Sequence, residues 1–186
     1  MKKFLFSLTM LAVVALAGFT TSCSNNNDGG DDDKAKAKVY SSSLNVQTGT
    51  PDEIQQGLGV DLGTITEDVK IEMNSSANTL NLSIKGINLG ELADIPAPLQ
   101  APFDIELNNV PYTVAGGVYN INMNLPINEE TLTTDVAINI NGNSAYLISL
   151  VGSINGSDLQ LKIFVLGDEG LMYIPVNISV TGTENK

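Results

Sequence analysis

The sequence specifies an all-β domain, read most simply as an antiparallel up-and-down β-barrel of about eight or nine strands, with a two-sheet β-sandwich as the alternative. Three observations predict it. Apolar and polar residues alternate with period two through most of the chain beyond residue 38, the pattern of strands with one buried face. Turn residues interrupt these runs at short intervals, most strongly at Asn155-Gly156, where a primed hairpin turn is favoured. Nine such runs follow one another, and consecutive hairpins that close on themselves remove the exposed edges that invite aggregation.

The chain opens with Lys2 and Lys3, then an apolar run from Phe4 to Phe19 broken only by Ser7, Thr9 and Gly18. Thr20-Thr21-Ser22 and Cys23 come next. This is the layout of a secretory signal over residues 1–22. The run is shorter than the roughly 20 apolar residues of a spanning helix, and nothing later is apolar for as long. Cys23 is the only cysteine. It stands where a lipoprotein signal peptidase needs it, so it is the expected lipidation site and the first residue of the mature chain. Two or more acyl chains make a stable anchor where one holds weakly. Thr20 departs from the leucine usual three places before such a cysteine. The alternative is cleavage after Ala15-Leu16-Ala17, which leaves a free thiol. Residues 23–38, with Asp28 and Asp31-Asp32-Asp33, hold no apolar side chain able to pack, and read as a disordered acidic tether. The acids lack the alternate ligands and distal glutamate of an EF-hand loop.

Residues 39–186 form the expected barrel domain. Its first strand runs from Val39 to Val46, with Tyr40, Leu44 and Val46 on one face. Thr50-Pro51-Asp52-Glu53 is a helix start, with a Thr cap, Pro in the first turn and Glu three residues on; Gly57 and Gly59 stop it within two turns. Strands resume at Glu67 to Met73 and Thr79 to Lys85, joined as a hairpin, with Val69, Ile71, Met73, Leu80, Leu82 and Ile84 inward. From Gly86 to Pro102, Gly90 and three prolines break the pattern. Leu89, Leu92, Ile95 and Leu99 give that loop its own apolar content. If Leu92 and Leu99 are exposed the loop is a contact patch; if they are tucked in, it is a plug or lid.

Phe103 to Leu107 is the next strand, and Gly116-Gly117 turns the chain into Val118 to Leu125, with Tyr119, Ile121, Met123 and Leu125 alternating against asparagines. Leu132 to Ile140 follows, then Asn141-Gly142 and a strand from Ala145 to Ile154 with Tyr146, Ile148 and Leu150 on one face. After Asn155-Gly156 come Leu159, Leu161, Ile163 and Val165. Gly167 to Gly170 turns into a last strand, with Met172, Ile174, Val176, Ile178 and Val180 inward.

Composition excludes several functions. Cleavage before Cys23 removes two of the nine lysines and none of the 21 acids, leaving 7 − 21 = −14, with no arginine. Such a chain is repelled by phosphate backbones, so nucleic acid is not an expected partner. There is no histidine, and acylation uses the one cysteine, which removes Ser-His-Asp and Cys-His catalysis and His-ligated zinc. Carboxylate-pair hydrolysis stays formally open, but the sequence has no Trp for a sugar cleft. A non-enzymatic protein is expected, with no catalytic residue, no metal site and no cofactor.

The lipoprotein signal, Tyr40-Ser41-Ser42-Ser43-Leu44-Asn45-Val46 and the hairpin at Val69–Ile84 are followed by Gly86-Ile87-Asn88-Leu89-Gly90 and Gly117-Val118-Tyr119. Leu150-Val151-Gly152-Ser153-Ile154-Asn155-Gly156-Ser157-Asp158-Leu159 and Val180-Thr181-Gly182-Thr183 come last. Over residues 39–183 this order resembles the calycin-like lipoproteins, secreted bacterial β-barrel domains likened to lipocalins. The resemblance implies a barrel and no established activity. The lipocalin Gly-x-Trp motif is absent, since there is no Trp, and no functional residue carries over. The acidic stretch after Cys23 resembles the export signal of surface lipoproteins. It implies the outer face of the outer membrane, with a periplasm-facing protein as the alternative.

Two functions follow as expectations. In the first the barrel takes a small apolar or amphipathic ligand, with Tyr119, Met123, Tyr146 and Met172 as candidate contacts, since Tyr and Met suit an adaptable pocket. An eight-stranded barrel can also be filled by its own side chains, which would make these residues core. In the second a tethered surface protein meets a protein or glycan partner through loop 86–102 or its outer face, which is rich in Asn, Ser and Thr.

Overall fold

The computed structural model describes residues 37–92, 97–128, 134–140 and 143–186. The signal, Cys23 and all but the last two residues of the tether lie outside the described residues, as do Ile95, Leu132 and the Asn141-Gly142 turn. The strands are β1 (Ala37–Thr48), β2 (Val60–Asn74), β3 (Thr79–Ile87), β4 (Phe103–Ala115), β5 (Val118–Asn124), β6 (Ala137–Ile140), β7 (Asn143–Asn155), β8 (Asp158–Gly167) and β9 (Pro175–Glu184). One short helix, α1 (Pro51–Gln55), and three 3-10 turns at Leu89–Glu91, Ala97–Leu99 and Glu169–Leu171 complete the described elements.

Eight strands close an antiparallel barrel in the order β1-β2-β3-β4-β5-β7-β8-β9, with β9 returning to β1. The barrel therefore prevails over the sandwich. The ninth strand stays out of the ring: β6 pairs with Asn143–Tyr146 of β7, while β5 takes Ser149–Asn155 on the same strand. At the near end β1 begins and β9 finishes, beside the hairpins β2–β3, β4–β5 and β7–β8. The far end carries α1, the 88–102 loop and the Glu169–Leu171 turn.

Local chemistry explains most elements. Thr50 accepts the Glu53 amide at 3.3 Å and Glu53 accepts the Thr50 amide at 2.7 Å, the reciprocal capping that the sequence predicts. At the β7–β8 hairpin the two-residue loop is Gly156-Ser157, with Asn155 paired to Asp158. Of these two, only Gly156, at φ 59°, has positive φ, so the turn is one residue later than the sequence suggests.

The inner faces of the ring meet in one apolar core that includes Tyr40, Leu44, Ile71, Leu82, Ile105, Leu150, Ile163 and Val180. Two bulges reset the alternation. In β4, Leu107 pairs with Leu82 but Val110 with Leu80, leaving two residues opposite Asn81. Asn109 takes φ 55° there and donates its amide to the Asn81 side chain at 3.0 Å. The strand then continues through Pro111 to Ala115 with Val110 and Tyr112 inward, beyond its expected end at Leu107. In β7 the register slips between Leu147 and Ser149. Ala145 and Leu147 are buried before the slip and Leu150 after it, so Tyr146 and Ile148 face outward, contrary to their expected inward placement.

Small residues permit tight curvature. Gly182 of β9 pairs with Ser42 of β1, and a Cβ at Gly182 would run into the Ser42 hydroxyl. Ser42 is buried and donates its hydroxyl to the Tyr40 carbonyl at 3.1 Å.

Candidate functional site

The near end of the interior holds three tyrosines. Tyr40 is fully buried, and Tyr112 and Tyr119 meet edge to face at 5.3 Å and 77°. The Tyr40 hydroxyl has no hydrogen-bond partner among the described residues. Burial pushes its phenol pKa up from the usual value. Beside it Lys38 pairs with Glu184 at 2.6 Å, tying β1 to β9, and that bond holds the Lys38 ammonium above its usual range.

Of the expected contacts, Tyr119 and Met123 stand with Ile121 on the inner side of β5, partly buried against the core. Tyr146 and Met172 do not join them. Tyr146 lies on the outer side, paired with Ala137 and Leu166. Met172 precedes β9 rather than belonging to it, at φ 56° and 61% exposed, because the chain makes a 3-10 turn at Glu169–Leu171 before the strand begins. Sequence reasoning missed Tyr112, hidden behind the β4 bulge and Pro111.

At the far end the described loop residues turn apolar side chains inward. Leu89 and Leu99 are buried in the core, and Leu92 packs over Gly63, whose missing Cβ would lie 3.0 Å from the Leu92 methyl. Asn88 supports the turn by accepting the Gly90 amide at 3.0 Å. Leu99 is tucked in and Leu92 half-buried, as the plug-or-lid alternative expects, while residues 93–96 lie outside the described set.

Outside the barrel, one groove of about 450 Å³ runs over β1, β9 and β8, where Ser41, Ser43, Gln160, Thr181 and Thr183 offer hydroxyl and amide groups. A second, of about 570 Å³, lies between Phe103–Glu106 of β4 and Ala137–Asn139 of β6. At its edge Lys85 bridges Asp104 and Glu106, and Asp104 accepts the Gly86 amide at 2.8 Å. The Gly86 bond and then the lysine hold the Asp104 carboxyl below its usual range. Among the described residues no three His, Cys, Asp or Glu side chains gather as a metal site.

No family model and no curated protein matches this chain. Among solved structures it is similar to a protein of Bacteroides fragilis named a "putative outer membrane protein", with a TM-score of 0.52 and 19% identity over 78% of this chain. The likeness covers 49% of that protein, so the chain spans about half the length of the structure it matches. At this identity the likeness is one of fold.

Proposed function

We propose that this chain is a calycin-like lipoprotein of the bacterial outer membrane, anchored through acylated Cys23. We propose further that it is displayed at the surface as a non-catalytic scaffold that meets a protein or glycan partner with its exterior. The observation that carries this reading is the shared core: the inner faces of eight strands bury one apolar cluster, to which Leu89 and Leu99 from the far end also belong. A packed barrel leaves the outside as the functional surface. The name of the similar Bacteroides fragilis protein supports the envelope location, as does the order Lys2-Lys3, apolar run and Cys23.

A second reading, a small ligand inside the barrel, is favoured by one observation. The Tyr40 hydroxyl is buried without a partner among the described residues, near Tyr119, and a ligand's polar group would satisfy it.

Intact-mass and lipid-extraction mass spectrometry on protein taken gently from its own membrane separates the two. The expected result is acylation at Cys23, lost in Cys23→Ala, with no co-purifying small molecule. A stoichiometric ligand, lost in a Tyr40→Phe variant, would overturn the scaffold reading.

A further inference from the structure

We infer that the far rim of the barrel docks a protein whose contact surface is basic and carries apolar pockets, with Met172 and Tyr173 as the inserted side chains. This deepens the scaffold reading and rests on it. The rim is built from two loops that the sheet brings together. Gly49, ahead of α1, donates its amide to Pro175 at 3.1 Å and accepts the Asn177 side chain at 2.5 Å, so segment 49–60 lies beside segment 168–175. Together they expose Leu58 at 68%, Val60 at 56%, Met172 at 61% and Tyr173 at 48%. Scattered surface apolar residues need no explanation, but a cluster on adjoining loops does.

Backbone geometry adds an independent observation. Met172 and Tyr173 are consecutive non-glycine residues at φ 56° and 53°, a left-handed conformation that bulky side chains rarely adopt. The turn is held there firmly. The Tyr173 amide donates to the Asp168 carbonyl at 2.9 Å and the Ile174 amide to the Leu171 carbonyl at 3.2 Å. Leu171 is buried. The Asp168 carboxylate accepts amides from both Leu171 and Ser144. Strain kept in place while it pushes two apolar side chains into water is the signature of a contact element.

Charge selects the partner. Asp52, Glu53, Asp168 and Glu169 lie on these segments and Asp61 directly follows the first, and residues 49–61 and 167–175 contain no Lys or Arg. Such a rim repels a second copy of this chain and an anionic bilayer, and it attracts a lysine- or arginine-bearing surface.

The test uses the full chain in its own cells, with the photo-crosslinking residue benzoylphenylalanine placed at Leu58, at Ser153 on the outer face, or at Val114 near the opposite end. The expected result is one discrete protein adduct from position 58. Its cross-linked peptide should be rich in Lys or Arg. Its yield should fall several-fold as salt rises from about 0.05 to 0.5 M, and at least tenfold in a Met172→Gly/Tyr173→Gly background. That background relieves the strained backbone, so its thermal midpoint should be equal to or above wild type, which separates lost docking from lost folding. A lipid adduct, an adduct with a second copy, an acidic contact peptide, or a yield indifferent to the double substitution overturns the inference, as does silence at position 58. If position 153 or 114 alone captures a partner, the scaffold reading stands without this inference. If all three are silent and a small molecule co-purifies, both fall.

Discussion

Tyr40 carries the sharpest residue-scale consequence. A buried hydroxyl without a partner forfeits its bonds to water, a cost of about 1–3 kcal/mol. Tyr40→Phe removes that cost along with one oxygen, so its urea midpoint at neutral pH should equal or exceed that of wild type. A clear drop would show that the hydroxyl has a partner. The alkaline side follows from the same burial. The unfolded chain loses the phenol proton at its ordinary value, whereas the folded chain keeps it to higher pH. Stability therefore falls as pH rises above about 10. Lys38 acts in the same direction. Its ammonium, held by Glu184, contributes fully below the ordinary lysine value and is lost as pH climbs through the raised one. Denaturation midpoints from about pH 8 to 12 should drop less steeply in Tyr40→Phe than in wild type. On the acid side Asp104 and Glu53 sit below their usual range. They favour the folded chain above the ordinary carboxylate value and lose that contribution as pH falls through the depressed ones. Both are exposed, so salt weakens the effect.

Individual elements show where the sequence speaks clearly and where it cannot. Uninterrupted alternation, as in Leu159–Val165 or Leu80–Ile84, gives strand, face and core together, because one missed residue would turn the whole set to water. Bulges defeat that logic. In β4 the extra residue at Asn108-Asn109 moves the inward parity from Leu107 to Val110, and Tyr112 falls from view. In β7 the slip after Leu147 turns Tyr146 outward. Asn109, of a residue type that tolerates positive φ, marks the first bulge only faintly, and nothing in composition marks the second. Met172 misleads for another reason: its spacing matches Ile174 and Val176, but the Asp168 cap starts a 3-10 turn that takes it out of the strand. The plug permits a direct check. Leu99 is buried at the far end, so Leu99→Ala should cost about 2–5 kcal/mol of unfolding free energy. Leu58→Ala, at an exposed site, should change it by less than about 0.5 kcal/mol. Where β9 meets β1, Gly182→Ala should cost about 1–3 kcal/mol by crowding Ser42. Ser42→Gly in the same chain should return much of that loss, and strict additivity of the two changes would refute the contact.

At the scale of the whole molecule, ring closure and net charge govern behaviour. The acids outnumber the lysines 21 to 9, and self-repulsion at a net charge of −12 opposes compaction. Raising sodium chloride from about 0.02 to 0.3 M should therefore raise the thermal midpoint. Fold class and strand number were legible because each strand states its own pattern. The closure order was not: that β6 leaves the ring and β5 reaches past it to β7 depends on pairings dozens of residues apart. Closure itself joins the first strand to the last, from Tyr40 opposite Glu184 to Thr48 opposite Val176. During synthesis that seam is the final one able to form, because β1 must wait for β9 to be made. Until then β1 and β8 present two bare edges, each a template for another chain. A chain lacking the ten residues of β9 is thus no shortened barrel but an open sheet with adhesive margins. Pairing of β9 with both β1 and β8 is what hides the two margins at once.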